Sequence, residues 1–402
     1  MHDTMKIAVA VERTTLYGRN LLRGLLEEAS GRPDWELSLM EPGAVAAAAR
    51  RGGVFDGWIC RVTDASAARA LARTGRPVVD CSLFDESSPF AFVRTDAARI
   101  GALGAEHLLS RRYPAYAWCG LPGVAFSELR REAFAARLAR EGHVPLVYAP
   151  ALGRRARWGV DTLLGERLAE APDAPQLRLW ARSLPKPVAV FCSDDLRASQ
   201  LLRVCRDEGL AVPSDVAILG VDDDPVLCLF ASPRLSSVDN DSVAVGRAAA
   251  AALARMLDGG GSAAEGGAAE RPSITVPPRG VSARASTDAF PGAPQWLPDV
   301  LSWIESNAGR NLSACDVFAR AGRSRTHVEK AFRDVLGTTV QKKIAAARID
   351  MAKKLLRGSV RPVSEIAAAA GFGSAEYFSR LFAAAEGLPP AAWREREACA
   401  LR

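Results

Sequence analysis

The stretch GFGSAEYFSRLFAAAEGLPPAAWR, Gly371–Arg394, decides how the chain is read. It has the form of the second half of a helix-turn-helix. Gly371 stands where a tight turn needs a residue that tolerates positive φ. Ser374 is an N-cap candidate, and Glu376 lies in the first turn, where negative charge suits the helix dipole. Phe378, Leu381, Phe382 and Ala385 recur at i, i+3, i+4 and i+7 and predict one buried stripe. Ala375, Glu376, Ser379 and Arg380 are left to face outward. Gly387 and the pair Pro389-Pro390 stop the helix. A short helix with a polar, arginine-bearing outer face has a shape that enters the DNA major groove. A single stripe of this kind is more often an ordinary surface helix, so its neighbours carry weight.

Just before it, Val363-Ser364-Glu365-Ile366-Ala367 predicts a first helix whose small Ala367 permits close packing on the second. Taken together, residues 296–395 resemble the AraC family of DNA-binding domains, whose second unit carries a matching IA, GF, YFSRLF, G and P pattern. The resemblance implies two helix-turn-helix units joined by a long helix. The first unit is LSACDVFARAGRSRTHVEKAFRDVL (312–336), with Ser313 and Ser324 as expected N-caps. Its recognition helix runs from Arg325 with Val328, Ala331 and Phe332 inward, which leaves Arg325, Thr326, Glu329, Lys330 and Arg333 for DNA. Arg323 stands in the turn where the family usually has an apolar residue. Either the helices cross at a different angle, or Arg323 turns outward to a phosphate. Phe318 occupies a position often held by alanine. Val340–Arg357 is the connecting helix, rich in Lys and Arg, and Lys343 on it is a phosphate-contact candidate. In the second unit Ala375 is too short for a bidentate base contact but suits a thymine methyl, beside Glu376, Ser379 and Arg380.

The charge distribution points the same way. The net charge is +6, and residues 296–402 hold 17 Lys+Arg against 11 Asp+Glu, while the preceding residues are balanced. A neutral body with a basic end fits a polyanionic partner, although a solvated basic face would look the same. The chain has 402 residues, 49% hydrophobic and 24% charged, enough for two or three domains with separate cores. No apolar run reaches the roughly 18 residues of a membrane helix. The opening MHDTMKIAVAVER has too short an apolar run for a signal peptide and predicts a strand. Eight cysteines without a CxxC pair, and only four histidines, argue against a zinc site and for reduced, mostly buried thiols in a cytoplasmic protein. No metal or cofactor is expected.

From Lys6 to about Met256 short apolar runs alternate with helical patterns. KIAVAV (6–11), GWIC (57–60), RPVVD (76–80), AYAWCG (115–120), VPLVY (144–148), PVAVFC (187–192) and VAILGV (216–221) predict strands. Tyr17–Ser30, Ala97–Ser110, Ser127–Glu141, Asp195–Gly209 and Val243–Leu257 predict helices. Such alternation implies parallel sheets covered on both faces, and about 280 residues is enough for two α/β lobes with a cleft between them. In open α/β sheets ligands bind beyond the C-terminal ends of the strands. Those ends carry Glu12-Arg13, Arg61, Asp194-Asp195 and Asp222-Asp223-Asp224. Carboxylates and guanidinium groups there suit a polyhydroxylated ligand, because hydroxyls donate to the former and accept from the latter. Phe126 or Trp118 is placed to cover an apolar sugar face. Each acid also reads as a loop turn or helix cap, and Asp195 in particular as an N-cap.

At this point a second resemblance enters. SDDLRASQLLRVCRDEGLAVPSDVAILGVDDD and the later SPRLSSVD are similar to the second lobe of LacI-type regulators and periplasmic sugar-binding proteins. VRTDAARIGALGAEHLLSRRYPAYAWCGLPGVAFSELRREAFAARL resembles the crossover between their lobes, and RTTLYGRNLLRGLLEEA their first helix. A sensor of this kind followed by an AraC-type domain resembles the family of bacterial xylose-operon regulators along nearly the whole chain. The resemblance implies a two-lobed α/β periplasmic-binding-protein-like sensor plus an all-α AraC-type double helix-turn-helix domain. It implies a monosaccharide effector, a double-stranded DNA operator and a homodimer. Carried over, Arg130 in SELRREAF and Asp222 in GVDDD take the places of sugar-contacting residues. Asp194 stands where the family more often has Asn, which removes a donor and bears on sugar identity. Glu12, Arg61 and Phe126 complete the expected ligand set.

The expected domains are a sensor over 1–285, a linker over 286–295 and a DNA-binding domain over 296–402. GGGSAAEGGAAERP, near 259–271, predicts a low-complexity loop within the sensor. Two rival readings remain. Two aspartates in a cleft, about 5–9 Å apart, would suit a glycosidase, and the sensor alone would suit a transport binding protein. The basic helical C-terminal domain speaks against the first, the opening strand against the second.

Overall fold

The computed structural model describes residues 4–83, 89–150, 173–258, 272–294, 296–359 and 361–399. The expected loop at 259–271 lies outside these. Two compact units are present, one of residues 1–109 and 113–288, the other of residues 110–112 and 289–402.

Twelve strands among the described residues form two six-stranded sheets, one per lobe of the first unit. In chain order they are β1 (Met5–Ala10), β2 (Trp35–Met40), β3 (Gly57–Cys60), β4 (Val78–Asp80), β5 (Ala91–Thr95), β6 (Ala115–Cys119), β7 (Leu146–Val147), β8 (Val188–Cys192), β9 (Val216–Val221), β10 (Ser236–Asp239), β11 (Ser273–Val276) and β12 (Gly280–Ser282). Lobe 1 has the order β2-β1-β3-β4-β5-β11 with parallel pairs throughout. Lobe 2 has the order β7-β6-β8-β9-β10-β12, parallel except for the antiparallel pair β10–β12. The chain crosses between lobes three times: after β5, after β10 and between β11 and β12.

The apolar runs legible in the sequence are the central strands, wholly buried in β3, β8 and β9. That follows from helices on both faces. In lobe 1 Ile7, Val9, Ile59, Val79 and Val93 pack against Leu21 and Leu25 of one helix and Val245, Ala249 and Leu253 of another. These helices are Leu16–Ala29 and Ser242–Asp258. They approach so closely that a Cβ on Gly246 would lie 2.0 Å from the Leu21 carbonyl oxygen. Ala8, Ala10, Trp58 and Cys60 face the opposite layer. In lobe 2 Val188, Val190, Cys192, Val216 and Ile218 pack against Leu201, Leu202 and Cys205 of the helix Asp195–Asp207. The two remaining helices of the expected set are Ala97–Leu109 and Ala125–Ala139.

β2, β5 and β10 are not among the predicted strands, and β10 carries one apolar residue in four. β10 reads Ser-Ser-Val-Asp, yet Ser236 and Ser237 are fully buried. Their hydroxyls are satisfied, Ser236 Oγ donating to the Arg284 carbonyl and Ser237 Oγ to Asp195 Oδ1 at 2.6 Å. Trp118 is buried between Phe134 and Phe191 and serves the core, so it covers no ligand face. Ser286 and Thr287, expected in the linker, are buried in lobe 2, where Ser286 Oγ donates to the Ile218 carbonyl.

The second unit is helical among its described residues: Trp296–Asn307, Ala314–Ala321, Arg325–Leu336, Val340–Gly358, Val363–Ala369, Ala375–Glu386 and Pro390–Cys399. One core gathers Leu297, Val300, Ile304, Val317, Val328, Phe332 and Ile344. Another gathers Ile349, Leu356, Ile366, Phe378, Phe382 and Trp393. The long helix Val340–Gly358 contributes to both, and Met351 packs against each. Arg348 from this helix donates to the carbonyl oxygens of Ala308, Arg310 and Leu312. It thereby holds the end of Trp296–Asn307, a task the sequence did not announce.

Candidate functional site

The C-terminal ends of the two sheets carry the residues expected at a ligand cleft. In lobe 1 Glu12 follows β1 and is 2% exposed, and Arg61 follows β3 and is 8% exposed. Arg61 Nη1 donates to Glu12 Oε1, which also accepts from Thr15 Oγ1 at 2.8 Å. Thr15 caps the helix Leu16–Ala29. The Arg61 guanidinium lies 4.7 Å from the centroid of the Tyr17 ring, and Tyr17 Oη donates to the Cys81 carbonyl at 3.0 Å. Burial pushes the Tyr17 phenol well up, so it stays a neutral donor. Tyr17 was read only as the start of a helix. Its ring position under Arg61 is a tertiary fact.

In lobe 2 Arg130, on the helix Ala125–Ala139, is 4% exposed and donates to the Ser193 carbonyl. Phe126, one turn earlier, places its half-buried ring 5.0 Å from the Arg130 guanidinium. Burial lowers the Arg130 pKa, while Asp222, Asp194, Tyr17 and Asp195 oppose that shift. Asp222 follows β9 with φ 111, a left-handed conformation rare for any residue but Gly. It accepts from Asn240 Nδ2 at 2.6 Å. Burial pushes its carboxyl up to about 7. Arg130 and Arg61 pull it down, and Asp194 pushes it further up. Arg61 and Tyr17 of lobe 1 thus sit in the field of Asp222 of lobe 2. The two halves of the expected ligand set converge.

Two assignments change. Asp194, not Asp195, is the N-cap of Asp195–Asp207: its Oδ1 accepts from the Arg197 amide at 2.8 Å and its Oδ2 from Ser193 Oγ at 2.7 Å. Asp194 remains half-buried at the strand end. Asp195 is buried and ties three elements together, accepting from Ser237 Oγ, the Asp224 amide at 2.8 Å and Cys228 Sγ. Burial first, then the Asp222 charge, holds its carboxyl well above the usual range. Adjacent aspartates gave no sequence signal as to which would cap. An ion pair also joins the lobes, Arg19 Nη2 to Asp224 Oδ2 at 3.7 Å.

In the helical unit Ser313, Ser324 and Ser374 are the N-caps, each accepting a backbone amide, and Gly371 has φ 83. Arg323, Arg325, Thr326, Lys330 and Arg333 are exposed, so Arg323 is turned outward, while Glu329 is partly covered. Glu329 accepts from Arg325 Nε at 2.8 Å. Lys343 is drawn to Glu305 at 3.2 Å and is the less available of the candidate phosphate contacts. Glu376 and Arg380 are exposed and Ser379 is half-buried. Ala375 does not face fully outward; it is half-buried against the second core. Ala385 leaves the predicted stripe and is exposed, Phe382 being the last residue of this helix in the buried core. Tyr377, absent from the predicted outer face, is 46% exposed.

Residues 105–287 match the periplasmic binding protein-like domain family, and residues 317–396 match the helix-turn-helix domain family. The chain joins a two-lobed periplasmic-binding-protein-like fold to a helical helix-turn-helix domain. It is 25% identical over 400 residues to the xylose operon regulatory protein of Escherichia coli strain K12, covering 97% of each chain. The solved structure of a xylose-binding transcription activator matches with a TM-score of 0.59 and 24% identity over 97% of this chain and 98% of that one. A LacI family regulator from Enterococcus faecium with bound ribose matches with a TM-score of 0.55 and 21% identity, over 71% of this chain and 99% of that one. Among the described residues no helix is long and apolar enough to cross a membrane.

Proposed function

We propose that the protein is a transcription regulator that binds a monosaccharide, a pentose such as xylose, between its lobes and controls genes of sugar catabolism from the cytoplasm. The observation that carries this reading is the convergence of Glu12, Tyr17 and Arg61 with Arg130, Asp194 and Asp222 at facing strand ends. Buried carboxylates and guanidinium groups supply both acceptors and donors for sugar hydroxyls, and the Phe126 ring offers an apolar surface. The helical unit supplies two recognition helices, Arg325–Leu336 and Ala375–Glu386, on the long helix Val340–Gly358. At 1.5 Å per residue its 19 residues span about 28 Å, near the ~34 Å between successive major grooves on one face of the duplex.

The protein acts as a homodimer, and the sugar shifts the balance between two arrangements of the dimer by its differential affinity for them. The cleft binds rather than turns over its ligand, and aryl glycosides are returned intact. The test is a thermal-shift screen against pentoses and hexoses, with Arg130→Ala and Asp222→Ala alongside. Stabilisation by one sugar, lost in both variants while they stay folded, is the expected result. Undiminished sugar affinity in both variants removes these residues from the site. Asp194→Asn restores a donor beside the cleft and is expected to reorder the ranking of sugars.

A further inference from the structure

The two recognition helices treat their outward arginines differently. On Arg325–Leu336, Arg325 is held by Glu329 four residues later, through a 2.8 Å hydrogen bond from Nε. On Ala375–Glu386, helical spacing offers Arg380 the carboxylate of Glu376, four residues earlier. Among the described residues no ion pair joins those two; the Arg380 guanidinium lies instead 5.6 Å from the centroid of the Tyr377 ring. That ring is anchored from behind. Its centroid is 6.2 Å from the ring of Phe372, which is 6% exposed and stands 5.0 Å from Phe378 in the core. A line of aromatic rings thus runs from the core to the surface and ends under an exposed guanidinium whose donors are not taken by a carboxylate.

We propose that Tyr377 is a positioning residue that sets the Arg380 guanidinium to read a guanine in the major groove. The inference rests on the reading of Ala375–Glu386 as a recognition helix. A bidentate contact to guanine O6 and N7 demands the plane of the guanidinium as well as its place. A flat ring fixes that plane without occupying the N–H donors, whereas a carboxylate partner would occupy them. It also limits the rotamers that a long exposed side chain must surrender on binding. An exposed contact of this kind is worth about a two- to fivefold factor in affinity.

The experiment uses the full chain and the duplex it enriches from a random library, and measures the base preference at each position. Tyr377→Leu, Tyr377→Phe and Arg380→Ala are compared, along with their affinity for random DNA at two salt concentrations. Tyr377→Leu is expected to weaken, about two- to fivefold, the guanine preference that Arg380→Ala abolishes. Random-DNA affinity and salt slope stay as they were, and Tyr377→Phe keeps the preference. Far-ultraviolet circular dichroism checks that each variant keeps its helices. If Tyr377→Phe loses as much as Tyr377→Leu, the hydroxyl is the contributor and the proposal is overturned. A change at a different base pair means that Tyr377 reads a base itself, and an unchanged profile gives the ring no part; either overturns it too. If Arg380→Ala leaves every preference intact, the reading of this helix as a base reader fails, and the proposal falls with it.

Discussion

Asp222 ought to be a liability in the absence of ligand, and the extent is calculable. Its carboxyl is pushed up to about 7, chiefly by burial, against an ordinary value of 3.8. A carboxyl whose pKa is raised on folding binds more protons folded than unfolded between those two values. Stability therefore falls as pH rises from about 4 to 7 and levels off above that. At about 1.4 kcal/mol per pH unit, roughly three units give a ceiling of about 4 kcal/mol. Residual water contact in the cleft and relaxation around Arg130 bring the expected effect to about 1–3 kcal/mol. Asp222→Asn removes the charge and retains the shape, and Asn tolerates the positive φ at this position better than most residues. The variant is expected to be more stable than the unaltered protein at pH 8, by about 2–8 °C in melting temperature. At pH 4 the two should be nearly equal. Its sugar affinity should fall at pH 8, where a carboxylate that only accepts has been replaced by an amide that also donates. The assay is thermal unfolding of both proteins, without sugar, from pH 4 to 8. A variant less stable at pH 8, or a difference that does not change with pH, refutes the reasoning.

Arg19→Ala breaks the ion pair between lobes to Asp224; with Arg19 about half exposed the pair is worth at most about 1 kcal/mol. Sugar affinity should fall fivefold or less, and by less at high salt; equal affinity at low salt would take the pair out of closure. Gly246→Ala puts a methyl 2.0 Å from the Leu21 carbonyl oxygen, where only backbone movement gives room. A loss of about 1–3 kcal/mol in denaturant stability is expected, and an unchanged midpoint would contradict the close crossing of the two helices. Lys330→Ala should lower DNA affinity for all sequences and reduce the salt slope by about 1. Lys343→Ala should do so less, because its ammonium is engaged by Glu305. The reverse order would mean that Lys343 leaves Glu305 for a phosphate.

Where the sequence spoke, local physics was sufficient. Ser313, Ser324 and Ser374 cap as read because a short hydroxyl before an apolar stripe has few other uses. β3, β8 and β9 were legible because strands buried on both faces must be apolar throughout. Glu12, Arg61 and Asp222 stood out as charges at strand ends, and Arg130, on the helix Ala125–Ala139, through the resemblance of SELRREAF. Their convergence, however, depends on how the lobes face each other, and no periodicity encodes that. β10 was silent because its buried serines are satisfied by partners remote in sequence, Asp195 and Arg284. Ala375 and Tyr377 exchanged roles for a related reason. Helical spacing assigns a face, but the contour of the neighbouring core decides which residues at its border are covered.

The threefold passage between the lobes has a consequence for the order in which the chain matures on the ribosome. The helix Leu16–Ala29 is made early, but its packing partner, Ser242–Asp258, and the edge strand β11 lie more than 200 residues downstream. At about 5–20 residues per second the first helix and sheet wait on the order of 10–40 seconds for the segments that cover them. Through that interval the face of Leu16–Ala29 around Gly24, which meets Val243 in the finished lobe, has no native cover, whereas most of lobe 2, between the first two passages, can close on itself. The lobe begun first is therefore the one that waits longest for its cover, and it is the one exposed to aggregation and to chaperone capture during synthesis.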